Sequence, residues 1–343
     1  MNKQANSEIN DYINQIINLS QQTNFELQVN KNEFVSMIHD KYKATTSVVK
    51  SKIVNSILIQ DNIHYLIKHL IIDNTKSKPI LIDKKEFKDP FAPPLHPDMV
   101  VSDNFMNLNY HRLIFTKFPL FDNQLLLVTR DFQSQYSHLN YENLRDVMIL
   151  NYLIDGFCFF NGGQKAGASQ PRKHLQAVPY SSLPEKEIGL FKYIKEESNL
   201  SQCKLEIDKI CKIFSIKALD NVNKTNILIK FDDFLIKEIN SIKKIEYTSK
   251  VLYLLSKIGL NLIGINDKEE KISTNYSFLL NDNFMLIVLR NENEVYISKK
   301  DEEEGKFINL NSLAFFFIIV SRTQEQIDEM KNGNIMKDVL SKL

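Results

Sequence analysis

The chain has 343 residues, with 43 basic and 42 acidic side chains and a formal net charge of +1. That balance provides no global field to gather nucleic acid or an anionic membrane, so any anion site must be local. The three cysteines, Cys158, Cys203 and Cys211, are odd in number and lack CxxC spacing. This argues against a disulfide framework or a structural zinc site and fits a reducing compartment.

A chain of this length can bury a sizeable core in one large or two small domains. The N-terminus, Met1 to Asn6, is polar and has no secretory leader pattern. The longest apolar run, Leu313 to Val320, is too short to cross a bilayer. The expectation is a soluble, cytoplasmic protein that engages neither nucleic acid nor membrane.

From residue 8 to about 40, Ile9, Ile13, Ile16, Ile17, Phe34, Met37 and Ile38 fall at helical spacing. They predict two amphipathic helices with a polar break near residues 21–24. Ile53 to Ile72 is rich in Ile, Leu and Val and predicts two strands split at Asp61-Asn62. Pro90, Pro93, Pro94 and Pro97 exclude helix or central strand and predict an extended surface arm.

Arg112 to Phe118 and Gln124 to Thr129 read as a strand pair. Tyr141 to Asp155 reads as a helix packing on that pair, and Phe157 to Phe160 as a short apolar strand. Helical patterns return over 185–198, 203–214 and 232–258. Tyr276 to Leu280 and Phe284 to Val288 form a hairpin signal around Asn281-Asp282-Asn283. Asp301 to Glu304 reads as a solvated acidic loop, and Ser321 to Leu343 as a charged amphipathic helix. The fold class implied is α+β with an antiparallel sheet and packed helices.

One stretch carries chemistry. Four of the nine glycines lie between Gly156 and Gly167, and His174 to Val178 then alternates. His174, Gln176 and Val178 point one way from a strand, Leu175 and Ala177 the other. A lone strand histidine is more often structural than functional. A glycine-rich loop feeding an imidazole beside an amide is instead a plausible phosphate site. Backbone N–H groups and Ser169 could line the oxygens, and His174 could attack phosphorus.

The run Phe159-Phe160-Asn161-Gly162-Gly163, Gly167-Ala168-Ser169-Gln170 and Lys173-His174-Leu175-Gln176 resembles the signature of the ATP adenylyltransferases, also called diadenosine tetraphosphate phosphorylases. These form the transferase branch of the histidine-triad superfamily, related to galactose-1-phosphate uridylyltransferase. Weaker similarity extends over roughly residues 50 to 335. It runs through Lys78-Pro79, Asp89-Pro90-Phe91, Lys117-Phe118-Pro119 and Leu125 to Thr129, then Asn275-Tyr276-Ser277, Val288 with Arg290, and Asn311-Ser312.

The resemblance implies an N-terminal helical segment (1–45), a catalytic histidine-triad-like half (46–215) and a C-terminal half (216–343) that completes one compact unit. A second strand–helix unit is expected after residue 215. The implied reaction is phosphorolysis of a dinucleoside polyphosphate by inorganic phosphate through a nucleotidyl-histidine. His174 is the implied nucleophile, and its other ring nitrogen should carry a proton held by a backbone carbonyl of the loop. Gln176 stands where the hydrolase branch has a third histidine; an amide can hold a phosphoryl oxygen without helping water.

Asn161, Gly167, Ser169, Gln170, Lys78 and Arg172 are the expected phosphate-binding residues, with Lys76, Lys84, Lys85 and Lys88 as rivals to Lys78. Magnesium is expected as the nucleotide's counter-ion, with no structural metal. Two positions depart from the family pattern: Arg172 and Gln124 replace histidines. They leave open a catalytically impaired dinucleotide-binding protein, and the same motif leaves open a GDP-hexose phosphorylase. Base preference and oligomeric state are not legible, the relatives including both monomers and dimers.

Overall fold

The computed structural model describes residues 11–12, 14–15, 30–71, 89–184, 189–196, 200–202, 215–219, 225–231, 233–241, 244–265, 275–296 and 307–342. Helix α1 (Lys31–Ala44) begins where the Asn30 side chain accepts the N–H groups of Asn32 and Glu33. Its buried stripe is Phe34, Ile38 and Tyr42, one residue per turn. Strands β1 (Lys52–Gln60) and β2 (Ile63–Ile71) form a hairpin. Its two-residue turn, Asp61-Asn62, has both φ angles positive (49° and 63°), as the right-handed strand twist requires.

Next come β3 (Val100–Ser102), β4 (His111–Phe115), β5 (Leu125–Thr129), α2 (Tyr141–Ile154), β6 (Gly156–Gly162) and β7 (His174–Pro179). Helix α3 (Gly189–Lys195), β8 (Leu200–Gln202), β9 (Ser215–Leu219) and β10 (Asn226–Lys230) follow. Then come α4 (Asp233–Ser241), α5 (Ile245–Leu262), β11 (Tyr276–Leu280) and β12 (Phe284–Leu289). The chain closes with β13 (Glu294–Tyr296), β14 (Phe307–Asn309), β15 (Ile318–Ser321) and α6 (Gln324–Asn332).

Ten strands make one sheet in the order β3-β4-β5-β7-β6-β11-β12-β10-β9-β8. The α+β class with an antiparallel sheet, expected from the sequence, is the one observed. Strand alternation divides the side chains between two faces. One face presents Leu113, Phe115, Leu125, Leu127, Leu175, Ala177 and, beyond β6, Met285 and Ile287; it is buried in a core shared with α1, α2, α4 and α5. At about 1.5–3 kcal/mol per large buried apolar side chain, this layer holds the sheet against its helices.

The other face carries two separate apolar clusters. Phe157, Phe159, Leu279, Leu286 and Val288 pack under β2, α3, the 312–319 segment and α6. Ile114, Leu126 and Val128 pack under Phe91, Leu95 and Val100. His174 and Gln176 emerge between the two clusters.

Several elements differ from the sequence reading. The apolar strand is longer than Phe157–Phe160: β6 has seven residues, all buried. The single helical region over 232–258 is two helices, α4 and α5. The final amphipathic helix is interrupted: α6 stops at Gly333, and a π turn (Ile335–Val339) and a 3-10 turn (Leu340–Lys342) follow. The proline-rich arm is a series of tight turns whose Phe91 and Leu95 cover the sheet.

Most of the first N-terminal helix, the 203–214 helix and the acidic loop at 301–304 lie outside the described residues. Among the described residues, no helix is long and apolar enough to cross a membrane. The expected strand–helix unit after residue 215 is present as β9, β10, α4, α5, β11 and β12.

Candidate active site

His174 begins β7, opposite Val128 of β5. Its ring is buried (6% exposed), and Phe91 lies against it with ring centroids 5.0 Å apart. Nδ1 lies 2.9 Å from the carbonyl oxygen of Arg172. A carbonyl can only accept, so Nδ1 carries the proton and Nε2 keeps its lone pair. Burial lowers the imidazole pKa below its ordinary value, opposed by the Arg172 carbonyl and by Asp89, so the ring is neutral at pH 7. A neutral imidazole with a fixed tautomer and a free Nε2 is a competent nucleophile.

The histidine's backbone is fixed by a residue distant in sequence. Gln135 inserts its carboxamide where the β6–β7 ladder would continue. Its Oε1 accepts the His174 N–H at 2.7 Å, and its Nε2 donates to the Asn161 carbonyl (2.9 Å) and the His174 carbonyl (3.2 Å). Asn161 and His174 therefore stand side by side at the ends of adjacent strands. The Asn161 Oδ1 accepts the Ser312 N–H at 2.9 Å, which leaves its Nδ2 as the group available to a ligand.

Gln176 sits two residues along the same face, half-buried, opposite Leu126 and Phe159. Its Oε1 accepts from Gln124 Nε2 at 2.9 Å.

The glycine loop is rigid for identifiable reasons. Gly163 and Gly167 have φ of +90° and +88°, a region costly for any side chain. A Cβ on Gly163 would lie 2.4 Å from Asn275 Oδ1, and one on Gly167 would lie 2.7 Å from Asn311 Cβ. Asn275 Oδ1 also accepts the Lys165 N–H, so the C-terminal half braces the loop at both ends.

The sequence reading has the loop N–H groups lining phosphate oxygens, but several of them are already engaged within the loop. Those of Ala166, Gly167 and Ala168 bond to Gly163 and Gln164 carbonyls. The N–H groups of Ser169 and Gln170 have no acceptor among the described residues, and both side chains are accessible. Gly167 contributes conformation rather than a donor.

Arg172 was expected on substrate phosphates; its guanidinium is buried, and its Nε and Nη1 bond to protein. Nε is 2.7 Å from Asp89 Oδ2, and Nη1 donates to the carbonyls of Thr129 (3.1 Å) and Arg130 (2.9 Å). Phe132 covers the guanidinium at 5.5 Å from its ring centroid. With its charge paired and three bonds made to protein, Arg172 anchors the Asp89–Phe91 turn over His174. Lys78 and its rivals Lys76, Lys84, Lys85 and Lys88 lie outside the described residues.

Sequence reasoning overlooked Asp89 and Gln135 as parts of the site. The Asp89-Pro90-Phe91 resemblance was a usable signal for Asp89; a glutamine in a polar loop gave none for Gln135. Among the described residues, no three His, Cys, Asp or Glu side chains gather to hold a metal ion. A cavity of about 470 Å³ lies beside α1, lined by residues such as Lys31, His39, Asn123 and Asp155, and includes none of the site residues.

The comparisons fall on both halves of the chain. The family model described as Ap4A phosphorylase N-terminal domain matches residues 25–194, and that described as ATP adenylyltransferase C-terminal domain matches residues 215–343. Diadenosine 5',5'''-P1,P4-tetraphosphate phosphorylase 2 of Saccharomyces cerevisiae is 33% identical over 116 residues, which span 29% of this chain and 33% of that protein. Protein APA1 of the same yeast is 22% identical over 329 residues, 90% of this chain and 93% of that one.

Among solved structures, yeast Ap4A phosphorylase Apa2 in complex with AMP has a TM-score of 0.66 at 18% identity, covering 91% of this chain and 96% of that chain. The same enzyme in complex with Ap4A gives 0.65 at 17%, covering 92% and 96%. Motif, fold and both domain models agree, and the chain belongs to the Ap4A phosphorylase and ATP adenylyltransferase family.

Proposed function

We propose that this protein is a nucleotidyltransferase that splits diadenosine tetraphosphate with inorganic phosphate, giving ATP and ADP. The single observation that carries this reading is the His174 ring, held by the Arg172 carbonyl with Nε2 unprotonated and without a partner among the described residues. The family, and the relatives named as phosphorylases of this dinucleotide, support the substrate class.

The chemistry is a double displacement. His174 Nε2 attacks the α-phosphorus, a Nε2–P bond forms, and the bond from that phosphorus to the bridging oxygen breaks. ATP departs with the electron pair, leaving adenylyl-His174. The Nδ1 proton stays in place, and the Arg172 carbonyl offsets the positive charge that the ring acquires. An oxygen of inorganic phosphate then attacks the same phosphorus. The Nε2–P bond breaks, its electrons return to the ring, and ADP leaves. One difficult displacement becomes two easier ones.

Asn161 Nδ2, the Ser169 and Gln170 amides and Gln176 Nε2 are neutral donors for the non-bridging oxygens. Such fixed dipoles are each worth about 3–4 kcal/mol in the transition state. Gln176 cannot exchange protons, so it stabilises charge without activating water. Magnesium enters with the polyphosphate as its counter-ion, Lys78 is the expected cation of the site, and the setting is the reducing cytoplasm. The impaired-binder reading rested on Arg172 and Gln124; both are engaged in bonds that support the site, which favours an active enzyme.

The test is product analysis with and without phosphate, with a GDP-hexose assayed in parallel. ATP and ADP should appear only with phosphate, a base-stable, acid-labile nucleotide adduct should form on His174, and His174→Gly should abolish both. Release that is equally fast without phosphate, or turnover that survives His174→Gly, overturns the reading.

A further inference from the structure

A three-residue hydrogen-bond chain runs behind Gln176. The Leu120 backbone N–H donates to Gln124 Oε1 at 2.8 Å, and Gln124 Nε2 donates to Gln176 Oε1 at 2.9 Å. Carboxamide orientations are ordinarily ambiguous, because oxygen and nitrogen are nearly isosteric. Here the ambiguity is removed from one end. A backbone N–H is always a donor, so the Gln124 atom facing it must be oxygen. The other Gln124 atom is therefore nitrogen, and the Gln176 atom it meets must again be oxygen.

Gln124 is buried (3% exposed), whereas Gln176 is half-buried and its Nε2 has no partner among the described residues. The polarity of the chain therefore ends on an NH2 group on the sheet face that His174 shares.

The structure assigns Gln124 as a positioning residue for nucleotidyl transfer: it holds the Gln176 carboxamide with its donor edge toward the transferred phosphoryl group. This rests on the functional reading above. A rotated Gln176 would turn a carbonyl oxygen toward anionic oxygens, replacing attraction with repulsion at the point where charge develops. At this position, where the family carries a histidine, the chain keeps a group that can accept on one side and donate on the other.

The experiment is a double-mutant cycle on the full-length protein, with kcat and KM for diadenosine tetraphosphate phosphorolysis and the melting temperature of each variant. Gln124→Glu keeps size and the acceptor for Leu120 but cannot donate to Gln176, so Gln176 should rotate. The expected result is a kcat lower by roughly a hundredfold with KM changed only a few-fold. Gln176→Ala should give a similar loss, and the double variant should be no worse than Gln176→Ala alone. Gln124→His can accept at one ring nitrogen and donate at the other, and should recover most of what Gln124→Glu loses.

An unchanged kcat in Gln124→Glu, or losses that multiply in the double variant, overturns the assignment. If Gln124→Glu does not fold, the neutral isostere Gln124→Met takes its place in the cycle under the same criteria. A wild-type chain with no dinucleotide turnover instead overturns the functional reading beneath it.

Discussion

Replacing Arg172 by histidine restores the residue the family has at this position, and sequence resemblance alone would predict a gain in rate. The structure predicts a loss. The Arg172 guanidinium bonds at once to Asp89 at 2.7 Å and to the Thr129 and Arg130 carbonyls at 3.1 and 2.9 Å, with side-chain exposures of 7% for Arg172 and 16% for Asp89. An imidazole is too short to span these acceptors. Arg172→His therefore leaves a largely buried carboxylate unpaired, a change that costs about 3–5 kcal/mol. For a chain of this length the unfolding entropy is about 0.7 kcal/mol per kelvin, so the melting temperature should fall by about 5 °C.

Catalysis should suffer too, because the Asp89–Phe91 turn rests on the His174 ring and the residue 172 carbonyl fixes its tautomer. Thermal unfolding and phosphorolysis rates of wild type, Arg172→His, Asp89→Asn and the double variant make the measurement. The two single losses should exceed the double loss when summed, since removing both partners leaves no orphaned charge. A variant Arg172→His that melts with the wild type and turns over faster would refute the reasoning.

Two further predictions concern the same segment. Lys173 is buried, donates to the His138 carbonyl at 2.6 Å, and has its pKa lowered to about 8, first by burial and then by Lys257. Its folded pKa is below the unfolded value, so the unfolded chain binds more protons between the two and stability rises with pH there. Relative to Lys173→Met, the wild type should gain about 2 kcal/mol from about pH 7 to about pH 10 in denaturant titrations; a flat difference would count against it. Gly167→Ala should lower stability by at least about 1 kcal/mol and turnover by more than any change in KM, because φ is +88° and Asn311 occupies the space for a Cβ.

What the sequence revealed followed from short-range rules. The alternation over 174–178 set His174 and Gln176 on one face because a strand has period two, and Asn281-Asp282-Asn283 marked its hairpin because the Asn281 side chain accepts the N–H groups of Asn283 and Phe284. The break between α4 and α5 was hidden: the N-cap position of α5 is Lys244, which makes no side-chain cap, so no capping residue announces the helix. The start of α6 was legible but overlooked, since Thr323 and Gln326 form a capping box.

The expected loop carbonyl for Nδ1 is that of Arg172, two residues away. The direction of the Arg172 side chain was not legible, because Asp89 lies 83 residues earlier, and Gln135 lies 39 residues before the histidine it holds. Local pattern places a residue on a face; only the tertiary fold decides what it meets there.

The two halves of the large sheet explain why this geometry occurs in one place. Strands β4 and β5, helix α2, and strands β6 and β7 give the order 4-5-7-6; β9 and β10, helices α4 and α5, and β11 and β12 give 9-10-12-11, and the two sets meet at the β6–β11 ladder. The topology is thus repeated, but the side chains are not. Where β7 presents His174, Gln176 and Val178, β12 presents Phe284, Leu286 and Val288, all buried in the apolar cluster beneath α3 and α6. A second polar pair there would have to be desolvated without partners, at a cost that the cluster avoids. The C-terminal half contributes instead through Asn275, Asn311 and Ser312, which brace the glycine loop and Asn161 from across the ladder. The candidate site therefore sits in the half whose face keeps a polar pair, and its bracing comes from the half whose face is filled with apolar side chains.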